Sequence, residues 1–291
     1  SPEIITLTMA AFSLGQFVAA PLWGRLSDSI GRKPVLILTL LGSSLSYVIL
    51  AYAPNLTVVI LSRILSGLMA GNVSIAFAYV TDITDDNNRA AGLGKVSAAL
   101  GLGFMTGPAI GGLLAGNTVE NANYLLTAWA AAGINFVAMV AAIVFLKESL
   151  DAKKRKPFEG FSKIVELATF TPAKSILPLV SCGLIFYTAM SLMESIFPLW
   201  ANKIFSYGPS HIGGVFFMLG SLGVIIQGGL IGRLTNLFGE KKLVQLAAIS
   251  LMAGLILIGS ATFAFSLWIG LFFFGCGTAM FNPSLSSLIS K

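Results

Sequence analysis

Two charged side chains stand inside long apolar stretches: Arg63 in SRILSGLMAGN and Glu194 in YTAMSLMESIFPLW. Placing a charge near the centre of a bilayer costs about 2.5–3.5 kcal/mol on insertion scales, so such groups mark ion pathways, ligand contacts or buried pairs. A carboxylate there can take up and release a proton, and a guanidinium, which stays charged, can tune it. Glu194 shares a helical face with Tyr187, Met190 and Pro198, at spacings of three and four, and Arg63 lies near one face with Gly67, Gly71 and Ser74. Proton transfer within a membrane is the chemistry this pattern suits. A structural ion pair for Arg63 and an outer-interface position for Glu194 are the plainer roles.

A second charged pattern occurs twice, as GRLSDSIGRK from Gly24 to Lys33 and GRLTNLFGEK from Gly232 to Lys241. Each copy ends one apolar stretch and precedes another, so the chain is an internal duplication. The two glycines of each copy permit a tight turn. In the first copy Asp28 can face a helix N-terminus or an arginine, while Arg32 and Lys33 can pair with a carboxylate or hold anionic lipid. In the second, Asn236 replaces Asp28 and Glu240 replaces Arg32, so a charged latch would be asymmetric. Basic residues that only enforce topology are the simpler reading.

The elements that must position these residues follow from composition. Of the 291 residues 56% are hydrophobic and 10% charged, and the mean hydropathy is +0.87, far from the roughly 25% charge of soluble domains. Apolar runs recur at Ile4–Gly24, Pro34–Ala53, Leu56–Val80, Leu93–Ala115, Tyr124–Leu146, Ile176–Trp200, Ile212–Leu234, Leu243–Phe263 and Ser266–Ile289. About nine transmembrane helices are therefore expected. Their apolar character is continuous rather than alternating, which excludes a strand barrel and predicts an all-α membrane protein. No removable leader is recognised, and Ile4 onward reads as a mature span.

The net charge of +6 follows loop parity, not a nucleic-acid surface. Arg25, Arg32, Lys33, Arg89, Lys95, Lys147 and Lys241 fall in one set of alternate loops, and the other set holds little beyond Lys203; the rich side is cytoplasmic. Cys182 and Cys276 lie within spans and read as packing residues. His211, the one histidine, falls in an outer loop; no metal-ligand spacing, no nucleophile beside a base and no phosphate-cradling loop appear. Neither an enzyme nor a cofactor is expected, and an ion gradient is the expected energy source.

Overlaying the cassettes divides the chain into residues 1–147, a polar linker at 148–174 beginning within KESLDAKKRKPFEG, and residues 175–291. One span precedes the first cassette and two precede the second; four follow the first and two the second. The repeat thus predicts a parent of about twelve helices in two six-helix halves, with the first helix and the last two outside this chain. The linker reads as a solvated connector, with Phe158 to Phe170 a candidate amphipathic segment.

The first cassette resembles the loop signature of the major facilitator superfamily, and its place between the parent's second and third helices fits. The resemblance implies a two-bundle transporter with a cytoplasmic gating latch of Gly24, Asp28, Gly31, Arg32 and Lys33. TDITDDNNR resembles the family's fourth-to-fifth helix loop and would add Asp82 and Arg89. Gly103, Gly107, Pro108, Gly111 and Gly112 resemble its antiporter motif; Pro108 bends the helix, and glycines 103, 107 and 111 form a ridge open to close approach. Arg63 resembles the fourth-helix arginine linked to proton coupling, with Glu194 the candidate proton carrier here and an acid on the absent first helix the family's other option. Helices one, four, seven and ten of the family line its cavity, which makes Met69, Asn72, Tyr187, Met190, Glu194 and Asn282 the candidate substrate lining. The implied function is proton-coupled export of small apolar or cationic compounds across the cell membrane, or an organelle membrane in a eukaryote, with protons, substrate and the bilayer as partners. A facilitator or symporter for a sugar, organic acid or other metabolite is the alternative, and a non-transporting receptor a third.

Overall fold

The computed structural model describes residues 2–152, 155, 157 and 177–289, so Phe158 to Phe170 and most of the linker lie outside the described residues. Regular structure among these residues is helical throughout: α1 Pro2–Ile30, α2 Arg32–Ala51, α3 Leu56–Met69, α4 Asn72–Ile83, α5 Asp86–Ala115, α6 Tyr124–Phe145, α7 Leu177–Phe205, α8 Pro209–Ile225, α9 Ile231–Phe238, α10 Glu240–Gly259 and α11 Ala264–Ile289. Nine stretches among the described residues are long and apolar enough to cross a membrane. With backbone groups satisfied inside each helix, their apolar side chains can face lipid.

Local chemistry sets the helix ends. Asn55 caps α3 by accepting from the Val58 amide at 3.0 Å, and Asn123 caps α6 through the Leu126 amide at 2.9 Å. Both cassettes turn the chain the same way. Gly31, at φ 114° and ψ 157°, separates α1 from α2, and Gly239, at φ 75° and ψ 156°, separates α9 from α10. Side chains rarely adopt such positive φ, which is why glycine stands at the same cassette position twice.

Two expected spans are interrupted. The Leu56–Val80 run is broken at Ala70 and Gly71, where the Ala70 amide drops back to the Gly67 carbonyl at 3.0 Å. The Ile212–Leu234 run contains a π-helical turn, Ile226–Leu230, that joins α8 to α9. Glycines 228 and 229 fall in this turn, where looser backbone geometry is least hindered.

The chain separates into two compact units, Ser1–Val96 with Asn123–Thr171, and Ser97–Ala122 with Pro172–Lys291. This grouping departs from the bundles drawn on the repeat in one element, because α5 contributes its first turns to the first unit and the rest to the second. In the first unit Val35, Leu36 and Ile75 form a buried cluster packed by Trp23, Leu26 and Leu146. In the second, Phe197, Val215, Leu267, Leu271 and Phe274 form the main cluster, and Phe186 stacks on Phe281 at 4.4 Å between ring centroids in another.

Candidate functional site

Arg32 is the hub of the first cassette. It opens α2 with its side chain only 10% exposed. Its guanidinium pairs with Asp28 Oδ1 at 2.6 Å, one helical turn back, and with Asp82 Oδ2 at 3.0 Å, near the end of α4. Nη1 donates to Ser27 Oγ at 2.6 Å, and Ser27, fully buried, donates in turn to the Gly24 carbonyl at 2.7 Å. A guanidinium removed from water needs this many partners, since breaking a buried pair leaves an uncompensated charge. Four of the expected latch residues, Gly24, Asp28, Arg32 and Asp82, are thereby brought together. Arg89 sits in the first turn of α5, its amide bonded to the Asp85 carbonyl at 2.9 Å.

Gly31 and Lys33 serve a neighbouring arrangement that centres on Glu148. The Glu148 carboxylate accepts from the Arg32 amide at 2.8 Å and the Lys33 amide at 3.2 Å, capping α2 from 116 residues away. An anion at this position also meets the positive end of the helix dipole. A methyl group on Gly31 would collide with this carboxylate. The Lys33 ammonium reaches the other way, donating to the Ile143 carbonyl in the last turn of α6 at 2.9 Å. Ser149 donates to Asp82 at 3.2 Å, and the Tyr79 hydroxyl donates to the Lys147 carbonyl at 2.9 Å. The first residues of the linker are thus stitched to both α2 and α4.

Arg63 lies at the opposite end of the first unit. Its guanidinium sits 5.3 Å from the centroid of the Tyr47 ring on α2 and makes no hydrogen bond or ion pair among the described residues. A cavity of about 470 Å³ opens beside it, lined also by Val59, Tyr124 and Ala128. Gly67 and Gly71 do not share its surroundings: Gly67 presses on the Phe12 carbonyl and Gly71 on the Trp23 ring, both from α1. Met69 packs on Gly42 of α2. Asn72, in the first turn of α4, is half-buried and makes no side-chain hydrogen bond among the described residues.

In the second unit, Tyr187 of α7 donates to Asn282 Oδ1 of α11 at 3.0 Å, and both are exposed. Ser191 and Glu194 continue the exposed polar stripe along α7. Glu194 makes no hydrogen bond or ion pair among the described residues. Met190 instead packs on the unit's core clusters.

The Pro108 motif makes its close contact on another face than its glycine spacing suggests. Methyl groups on Gly103 or Gly107 would meet open space. Gly112 instead lies against the Pro209 carbonyl and the Gly213 backbone of α8, Gly213 faces the Pro108 carbonyl and Ala109, and Gly220 faces Met105. Residues 105, 109 and 112 form the touching ridge, so α5 and α8 approach backbone to backbone.

The family profile described as Major Facilitator Superfamily matches residues 1–291. The chain belongs to the major facilitator superfamily. Members of this superfamily are membrane transporters, not enzymes, and this chain is an integral, multi-pass membrane protein. Multidrug resistance protein 2 of Bacillus subtilis (strain 168) is 33% identical over 83% of this chain, which spans 60% of that relative's length. Tetracycline resistance protein, class C, of Escherichia coli is 30% identical over 97% of the chain and 70% of its own length. The crystal structure of the human organic anion transporter MFSD10 superposes with a TM-score of 0.71 at 28% identity, covering 97% of this chain and 69% of that one.

The duplication within this superfamily member now has a chemical contrast. Glu240, at the position of Arg32, accepts from Ser287 Oγ near the end of α11, whereas Arg32 binds two aspartates. Sequence reasoning missed Ser27 and Glu148. Ser27 carried a signal, since Thr235 holds the same cassette position, but Glu148 sat unremarked in what read as solvated linker.

Proposed function

We propose that this chain carries out proton-coupled export of small apolar or cationic compounds by alternating access. The observation that carries the reading is the exposed α7 stripe of Tyr187, Ser191 and Glu194: a carboxylate with no hydrogen-bond or ion-pair partner among the described residues, on an apolar helix, beside a hydrogen-bonded Tyr187–Asn282 pair. An acid so placed can hold either a proton or a cationic substrate, and that exclusivity couples the two fluxes. The drug-resistance relatives support the same direction of transport. Tyr187 and Asn282 are assigned to substrate contact, with Asn72 a third candidate, while Met69 and Met190 serve packing. The Arg32 cluster acts as the cytoplasmic latch, favouring one access state through contacts that the other state would lack. Residues 1–147 and 175–291 act as two helical bundles joined by the 148–174 linker, in the cell membrane.

In inverted vesicles with an acid interior, ethidium and tetracycline should accumulate, and nigericin should abolish the accumulation. Accumulation that survives collapse of the proton gradient would overturn proton coupling. A second reading, export of organic anions, is favoured by one observation: Arg63 lines the cavity of about 470 Å³ without an ion-pair partner among the described residues. Competition by an amphipathic carboxylate, lost in Arg63→Gln, would establish that reading instead.

A further inference from the structure

The break between α3 and α4 is built around Trp23, which stands immediately before the first cassette. Its indole Nε1 donates to the Leu68 carbonyl. In an uninterrupted helix that carbonyl would accept from the amide of Asn72. Gly71 lies buried against the same ring, and any side chain there would displace it. Just above the break, Gly67 and Gly15 bring α3 and α1 into backbone contact, which fixes where the indole arrives.

The twelve residues of α4, about 18 Å of helix, are therefore held at both ends by neighbouring parts of one segment. Trp23 holds the N-terminal end at Gly71, and Arg32 holds Asp82 one residue before the C-terminal end. Neither holding residue is repeated at its cassette position in the second unit, where Glu240 stands for Arg32. Ile231 occupies the cassette position of Trp23, and aligning Asn72 with Asn282 aligns Gly67 with Gly277 and places Phe281 at Gly71. The helix there, α11, runs unbroken from Ala264 to Ile289.

We propose that Trp23 is a positioning residue that makes α4 a lever: with the Arg32–Asp82 pair closed, the indole holds the break and the orientation of Asn72, and when the pair opens, α4 turns about Gly71. This rests on the alternating-access reading, in which the cassette opens and closes. It assigns the helix break a function in gating, beyond accommodating the tryptophan.

The test uses the full-length protein in lipid nanodiscs with Trp129→Phe, Trp200→Phe and Trp268→Phe, so that Trp23 is the sole emitter in residues 1–291. Asp82→Asn, which loosens the far end of α4, should red-shift Trp23 emission and raise its quenching by acrylamide roughly twofold, as expected for an indole released from a half-buried hydrogen bond. Unchanged emission and quenching would overturn the proposal. In liposomes, Trp23→Phe keeps the ring and loses the donor; efflux of tetraphenylphosphonium should show kcat down roughly fivefold with KM nearly unchanged, the signature of a lost positioning contact. Equal losses in kcat and in folded yield would reduce Trp23 to packing and refute the lever. If the wild type moves no tetraphenylphosphonium while Trp23 emission still answers to Asp82→Asn, the lever stands and the export reading fails.

Discussion

Replacing Glu148 isolates the long-range cap on α2. Glu148→Ala removes the acceptor of the Arg32 and Lys33 amides and the charge at the helix N-terminus. Loss of an N-cap costs about 0.5–2 kcal/mol and loss of a favourable charge at a helix end about 0.3–1 kcal/mol. Because Glu148 is exposed, water can replace part of both, and a combined cost of about 1–2 kcal/mol is expected. Glu148→Gln keeps one acceptor oxygen and loses only the charge, about 0.3–1 kcal/mol. Amide hydrogen exchange reads these numbers locally. The Arg32 and Lys33 amides should exchange roughly 5- to 30-fold faster in the alanine variant. In the glutamine variant the increase should be roughly two- to fivefold, with α7 to α11 unaffected. Equal exchange in all three proteins would refute the cap, and an effect as large in the second unit would show that Glu148 acts globally.

Arg32→Ala leaves Asp28 and Asp82 without their shared cation; thermal unfolding should show a loss of about 2–3 kcal/mol, held below a fully buried pair by the 41% exposure of the Asp28 side chain. Gly112→Ala, pressed against α8, should lower the unfolding temperature, whereas Gly107→Ala, facing open space, should leave it unchanged or raise it through helix propensity; equal effects would refute the assigned face. Tyr187→Phe deletes one exposed hydrogen bond, about 0.5–1 kcal/mol, and should weaken binding of a fluorescent cation two- to fivefold with little change in thermal stability; unchanged affinity would remove Tyr187 from the substrate contacts.

Much of this arrangement is legible in the residues themselves. The nine spans follow from apolar run length, and the two positive-φ turns follow from glycines at matching cassette positions, because few other residues accept that backbone. Arg32, Asp28 and Asp82 could be grouped only through the resemblance of their two loops to the superfamily's signatures, because the same helix ends also carry Arg25, Lys33, Arg89 and Lys95. What was not legible depends on long-range partners or on helix rotation. Glu148 finds the start of α2 across 116 residues, and no local pattern announces such a cap. The break at Gly71 lies in a run apolar enough overall to read as a single span, so run length cannot show it; only the Trp23 indole shows why it forms. The Pro108 motif states that α5 can be approached closely, but the spacing of its glycines did not settle which face is used.

The central claim is that one site exchanges protons for substrate, and proton release measures this most directly. Liposomes containing the full-length protein and the pH dye pyranine should report proton movement when tetraphenylphosphonium is added, and Glu194→Gln, which keeps the Tyr187–Asn282 pair but loses the charge that holds the cation, should abolish that movement and weaken cation binding. Proton movement of undiminished size in Glu194→Gln, or none in the wild type under a cation gradient that the protein demonstrably dissipates, would contradict the account.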